Sequence, residues 1–295
     1  MRSIMLSPPT LPRSENLVYV RAPRVDRADP ELREPLAHLA ALNDTAGRQA
    51  AVLALMTSTG SRHERAAWLE YTRGLADAER LIDDIALLSA PRRLPWFEHF
   101  ARALAPEPVA SRHHVIDAAR RVMIADGMVS SMDQLRWIAL RHLMAGSAVS
   151  PPAAATSEIE QLDDGHARCI CLFSGFLSRL VPAPELTLDL TGLESVNQTW
   201  YDNVTAAWQG RLELPSRRGH DIDLSLRALR VLQSLPWLQR PVLVRGWYDA
   251  ARVLTEGSAL HAEAADALRL ACVLLDSPVP PELAQQYIEV EPVSH

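Results

Sequence analysis

From Glu31 onward, apolar positions recur at intervals of three and four residues, the spacing of a helix with one buried face. Three stretches, 31–44, 45–57 and 62–88, read as helices, the last with Leu75, Ile82, Ile85 and Leu88 along one stripe. Glu79 and Asp83 stand one turn apart beside Arg80 and Asp84, which reads as a solvated face. Val115, Ala118, Ala119, Val122 and Met123 form another stripe and predict a helix over 114–125. Helical spacing returns after 221 and runs to about Asp276. Between these stretches the pattern breaks. Residues 1–30 are rich in proline and charge without a period and read as an extended leader, in which Pro9-x-x-Pro12 reads as plain tail. "SPPAAATSE" (150–158) reads as a linker and "ELPSRRGHD" (213–221) as a loop. "LVPAPELTLDLTG" (180–192), with alternating Leu and Thr, predicts a short strand or an extended crossing. The expected fold is therefore all-α. Helical parts at 31–149 and 221–295 flank a small irregular or β-containing insertion at 150–220.

One turn poses a chemical question. "IADGMVSSMD" (124–133) resembles the second half of an EF-hand loop, with Asp126, Gly127 and an acid at Asp133. Counting back, however, puts Val122 and Ile124 where two more oxygen ligands belong. The same residues read more simply as a helix stop and a helix start. Gly127 suits a left-handed cap, and Ser130 with Asp133 fits a capping box. A weak repeat accompanies the turn. Leu94-Pro95-Trp96 and Leu235-Pro236-Trp237 both read as helix starts. Glu256-Gly257, with Glu263 six residues beyond the glycine, copies the spacing of Asp126-Gly127 and Asp133.

Composition narrows the chemistry. The 295 residues are 48% apolar and 5% aromatic, and all 30 basic residues are arginine, which removes Schiff-base and P-loop lysines. A net charge of −6 disfavours nucleic acid, and the three cysteines make no disulfide framework in a chain of this size. No apolar run reaches the roughly eighteen residues of a spanning helix, so the expected location is the cytoplasm.

Several fragments of catalytic motifs occur. His63-Glu64 opens H-E-x-x-H, but Ala67 stands where the second zinc ligand belongs. His113-x-x-x-Asp117 imitates an acyltransferase signature, yet its place at a helix start reads as a surface contact. "DDGHARCIC" gathers Asp163, Asp164, His166, Cys169 and Cys171, the one constellation with metal-ligand chemistry, although the C-x-C spacing lacks a second half. A helix-turn-helix reading of 114–144 would put Arg136 and Arg141 on a DNA-reading helix.

"VMIADGMVSSMDQLRWIALRHL" resembles the TerB-type helical module, in which an apolar helix ends in A-D-G and a capped helix follows. "APRRLPWFEHFARAL" and "EAADALRLACVLLDSPVPPEL" resemble the cytosolic C-terminal accessory region of proteobacterial HtpX-like membrane metallopeptidases. The resemblance implies two TerB-like helical-bundle halves without the peptidase domain. No residue matches a catalytic position of that family, and Glu256 stands where the second copy would carry Asp. The expected function is a non-catalytic protein-interaction or regulatory module in a bacterial cytoplasm, with a protein partner or self-association and no cofactor. Metal-dependent sensing or hydrolysis through Asp163–Cys171 is the first alternative, and DNA binding the second.

Overall fold

A computed structural model describes residues 30–58, 60–146, 159, 162–181, 190–213 and 222–290, without side-chain detail for 190–195. Among these residues the chain is all-α. The helices are α1 (Arg33–Ala40), α2 (Thr45–Met56), α3 (Arg62–Tyr71), α4 (Ala78–Ala86), α5 (Ala90–Ala103), α6 (Val109–Met123) and α7 (Ser131–Ala145). They continue as α8 (Asp164–Leu177), α9 (Leu190–Thr205), α10 (Ile222–Leu232), α11 (Gln239–Leu254), α12 (Ala262–Leu274) and the single turn α13 (Pro281–Ala284). No helix among the described residues is long and apolar enough to cross a membrane.

Two helices are buried all round and organise the rest. In α2 every residue from Ala50 to Met56 is buried, and α3, α4, α5 and α6 pack around it. Its start is a close cap. Asp44 accepts the Gly47 amide at 2.7 Å, and a Cβ at Gly47 would meet the same carboxylate at 2.8 Å and displace the cap. In α12 every residue from Ala264 to Leu274 is buried, between α7, α11 and α5. The second helices of the two acid-Gly turns, α7 and α12, thus pack against each other at the centre of the molecule.

Burying α12 carries two charges inside, and both find partners. Arg269 donates from Nε to Glu98 Oε1 on α5 at 2.6 Å, and from Nη1 and Nη2 to both oxygens of Glu289 at 2.5 and 3.0 Å. Its guanidinium also lies 4.5 Å from the centre of the Tyr287 ring. Asp266 accepts from the Tyr287 hydroxyl at 3.0 Å and from Arg136 on α7 at 3.4 Å. Burial works against the Arg269 charge, but Glu289 and Glu98 outweigh it and raise the guanidinium above its ordinary value. Burial likewise raises the Asp266 carboxyl, an effect that Arg136 and Tyr287 offset in part.

A proline completes this junction. Pro95 sits inside α5, which starts at Ala90, so Leu94-Pro95-Trp96 is mid-helix and not the predicted start. Without an N–H, Pro95 leaves the Pro91 carbonyl free. The Ile288 amide of the C-terminal tail donates to that carbonyl at 3.1 Å. The tail is therefore bound through backbone and side chains to both α5 and α12. Leu235-Pro236-Trp237 instead lies in the turn before α11.

Other expectations change as well. The stretch 62–88 is two helices, because Gly74 (φ 93°) and Asp77 (φ 61°) reverse the chain between α3 and α4. The predicted helix 114–125 begins earlier, at Val109. Within 150–220 the described residues hold α8, α9 and a 3-10 turn at Ala206–Trp208, and no strand; one isolated bridge joins Gln209 and Leu212. The leader apart from Pro30, the linker 150–158, residues 182–189 of the predicted strand and residues 214–221 of the predicted loop lie outside the described residues.

Arg269→Ala leaves the buried Glu98 with Arg102 alone, at 3.0 Å, and Asp266 without a nearby guanidinium from its own helix. It lowers stability by about 3 kcal/mol, the low end for breaking one side of a buried pair, because Glu289 is exposed and Glu98 keeps a partner. Arg245→Ala removes only half-exposed pairs with Asp249 and Glu282 and lowers stability by less than about 1 kcal/mol. Urea unfolding followed by circular dichroism measures both; equal losses would contradict the assignment.

Candidate functional site

Helix α11 has two faces of different character. Inward, Leu243, Val244, Trp247, Tyr248 and Ala251 are buried, and the indole of Trp247 donates to Ser174 Oγ of α8 at 2.9 Å. The Trp247 carbonyl accepts from the Trp200 indole of α9 at 3.1 Å. With both indoles satisfied, α11 is fixed firmly on its inner side.

The outer side is left bare. Trp237 is 61% exposed, Leu238 53%, Val242 55% and Val253 69%. These are four of the ten large apolar side chains exposed among the described residues, and they follow one another along the outside of a single helix and its lead-in turn. Between them lies Gly246, in mid-helix, where an added Cβ would meet nothing within 4 Å. A glycine there costs about 1 kcal/mol of helix stability relative to alanine, and no intramolecular packing requires it. Charges flank the strip. Arg245 donates to Asp249 at 2.9 Å and to Glu282 at 2.8 Å. Asp249, Arg252, Val253, Glu256 and Gly257 rim a shallow depression of about 410 Å³.

The turn that ends α11 is a Schellman motif. Gly257 donates to the Arg252 carbonyl at 2.9 Å and Glu256 to that of Val253 at 3.3 Å, with Glu256 held at φ 51° where glycine is usual. Glu263 occupies the second position of α12, where its amide donates to the ring of His261 at 3.4 Å. The first turn is built otherwise. Ser130 and Asp133 form the predicted capping box, with amide-to-side-chain bonds of 3.1 and 3.0 Å. Gly127 (φ 78°) comes three residues past the α6 cap at Ile124, so it closes a wider turn instead of following the cap directly. Asp126 accepts the Met128 amide at 2.9 Å, short of the amides that open α7. The two acid-Gly turns share spacing but not construction.

A cleft of about 500 Å³ opens where α5, α7 and α12 end, with Arg102, His142, Cys272 and Asp276 on its walls. Its polar groups serve the fold. His142 Nε2 lies 2.9 Å from Asp276 Oδ1, and its Nδ1 lies 3.3 Å from the Gln233 amide nitrogen, which also donates to the Leu274 carbonyl. Both ring nitrogens have partners from other helices or turns of the fold. Arg240 clamps the carbonyls of Leu235, Leu275 and Gln233 at the ends of two helices.

The Asp163–Cys171 constellation is taken apart by its helix. Asp163 is the N-cap of α8, accepting from the amides of Gly165 and His166, and its second oxygen lies 2.6 Å from His166 Nδ1. Hydrogen bonds from His166 and Gly165 hold its carboxyl below the usual range. Asp164 pairs with Arg211 at 2.8 Å, while Cys171 is buried and Cys169 half-buried. Among the described residues no group of three His, Cys, Asp or Glu side chains is gathered where it could hold a metal ion.

The other fragments are absorbed similarly. Glu64 is buried and accepts the Ser58 amide, and burial raises its carboxyl. His113 and Asp117 are both exposed on α6. Arg136 points into the core toward Asp266, and Arg141 stacks 4.7 Å from Trp137 on α7. α5, α6 and α12 pack around α7, whose solvent side carries Gln134, Trp137 and Arg141.

Burial pushes the Cys171 thiol up to about 11 and the Cys272 thiol up to about 12, and raises Cys169 to a smaller extent. Iodoacetamide at pH 8 should therefore modify the native chain at Cys169 at most, and all three cysteines in urea. Rapid native labelling of Cys171 or Cys272 by mass spectrometry would contradict this. In comparisons with known proteins, no family model, no curated protein and no solved structure matches this chain.

Proposed function

We propose that this chain is a non-catalytic protein-interaction or regulatory module of a bacterial cytoplasm, built from two TerB-like helical units, and that it works through the outer face of α11. The exposed strip of Trp237, Leu238, Val242 and Val253 carries the reading. Bare apolar side chains such as the Trp237, Leu238 and Val242 group are what a partner's surface removes from water, at a gain of roughly 25 cal/mol per Å² before the cost of association. The aromatic at one end suits an anchoring role, since Trp is enriched among residues that dominate binding energy. The rigid inner face of α11 supports this function. A helix held by Trp247, Ser174 and Trp200 presents its outer side without reordering on binding.

A photo-crosslinking amino acid placed at Val242, and at exposed Glu79 as control, tests the reading in the native host. A discrete protein adduct from position 242 and none from position 79 is the expected outcome. Equal or absent adducts at both positions would overturn it.

A further inference from the structure

His142 stands between two groups of opposite hydrogen-bonding character. Its Nε2 lies 2.9 Å from Asp276 Oδ1, and a carboxylate only accepts. Its Nδ1 lies 3.3 Å from the side-chain nitrogen of Gln233, and an amide nitrogen only donates. The orientation of that amide is fixed independently, because its nitrogen also donates to the Leu274 carbonyl at 2.8 Å, where an amide oxygen would meet a second acceptor. One protonation state satisfies the whole set. Nε2 carries the hydrogen and donates to Asp276, Nδ1 is bare and accepts from Gln233, and Gln233 gives its other N–H to Leu274. The arrangement calls for the neutral imidazole in a single tautomer.

A proton on Nδ1 breaks this match. Two N–H groups would then face each other, so Gln233 must turn its oxygen toward the ring, and the Leu274 carbonyl at the end of α12 loses its donor. The position of Gln233 gives that change its reach. It is the first residue after α10, which packs mainly on α8, and it opens the turn that runs through Trp237 and Leu238 into α11. Arg240 holds the far end of the turn, donating to the carbonyls of Gln233, Leu235 and Leu275. The turn is thus tied to the end of α12 by a permanent cation and by a bond that depends on a proton. Other charged groups face His142 as well. Glu98 and Arg102 of α5 and Cys272 of α12 share its cleft, Arg112 of α6 donates to the Met144 carbonyl beside it, and Arg240 lies 3.7 Å from the second oxygen of Asp276. By ordinary chemistry the imidazole alone among these groups changes charge between about pH 5 and pH 8. Its side chain is 20% exposed and lines the cleft, so solvent protons reach it.

We propose that His142 is a proton-operated latch on the turn that carries Trp237 and Leu238. Neutral, it holds Gln233 to the end of α12; protonated, it releases that hold. The release leaves α11 seated through Trp247 and Trp200 and frees its lead-in turn alone. The latch adds a regulation to the interaction reading above, and it operates in the chain without a partner present.

NMR of the full chain, with histidine, glutamine and tryptophan side chains labelled with nitrogen-15, tests this between about pH 8 and about pH 5. At the alkaline end the ring nitrogens of His142 should show a protonated Nε2 and a bare Nδ1. As Nδ1 takes its proton, the Gln233 side-chain amide and the Trp237 indole signals should move with the same midpoint. His142→Gln keeps a donor for Asp276 and cannot titrate, so both signals should lose their pH step. Gln233→Leu should leave His142 titrating and abolish the response of Trp237. The wild-type titration decides by itself if either variant fails to fold. The opposite tautomer at the alkaline end overturns the inference, and so does a His142 that stays neutral throughout the range. Gln233 and Trp237 signals that stay fixed while His142 titrates, or that keep their step in His142→Gln, overturn it too. If the signals move together and position 242 captures no partner, the latch stands and the interaction reading falls. If position 242 captures a partner and the signals stay fixed, the latch falls and the interaction reading stands.

Discussion

The buried pair of Arg269 and Glu98 is the contact on which the rest of this structure depends. The two residues are 171 positions apart, on helices from opposite ends of the chain, and the bond between them is 2.6 Å long. Helix α12 is apolar on every side except where Asp266 and Arg269 emerge, so it can be buried only if those charges are met. Glu98 from α5, Arg136 from α7, and Tyr287 and Glu289 from the tail meet them. The interaction is worth little as an isolated attraction, because two charges leave water to make it. Its weight lies in selectivity. Any packing of α12 that does not bring α5 and the tail to the same place leaves a charge alone in the core.

Pro95 gives the same junction a second lock. A proline in mid-helix ordinarily wastes an acceptor, but here the Ile288 amide fills the gap in α5. Backbone and side chains of the tail thus dock together, Ile288 on α5 and Glu289 on Arg269. With α12 held in this way, α11 is held too, since it packs on α12 and on α9. The bare face of α11 is therefore displayed by a scaffold whose rigidity originates some distance away in the sequence.

Much of this was legible in the sequence, and the parts that were not have a common cause. Helical spacing identified the fold class and the stripes of α4 and α6, because periodicity reports which side of a helix is buried. Ser130 and Asp133 were readable as a capping box, because a cap is made by residues three apart. The break at Gly74 and Asp77 carried a local signal in its glycine, masked by the apolar stripe on either side. Asp163 likewise carried one. An acid just before a helix reads as a cap as readily as a ligand, and it proved to be a cap. Pro95 misled, since the donor that makes it tolerable lies 193 residues later, at Ile288. The exposed strip of α11 was invisible for a similar reason. Val242 and Val253 look like the buried Leu243 and Val244 until the partners of each face are known.

Native-state hydrogen exchange tests most directly whether the two ends of the chain form one cooperative unit through Arg269. If they do, the slowest amides of α2, α5, α7 and α12 open with a single free energy, equal to that of global unfolding. If the ends are separate units that merely touch, the α12 amides will exchange at an opening free energy lower than those of α2 by more than about 2 kcal/mol, and the account given for the buried pair is wrong.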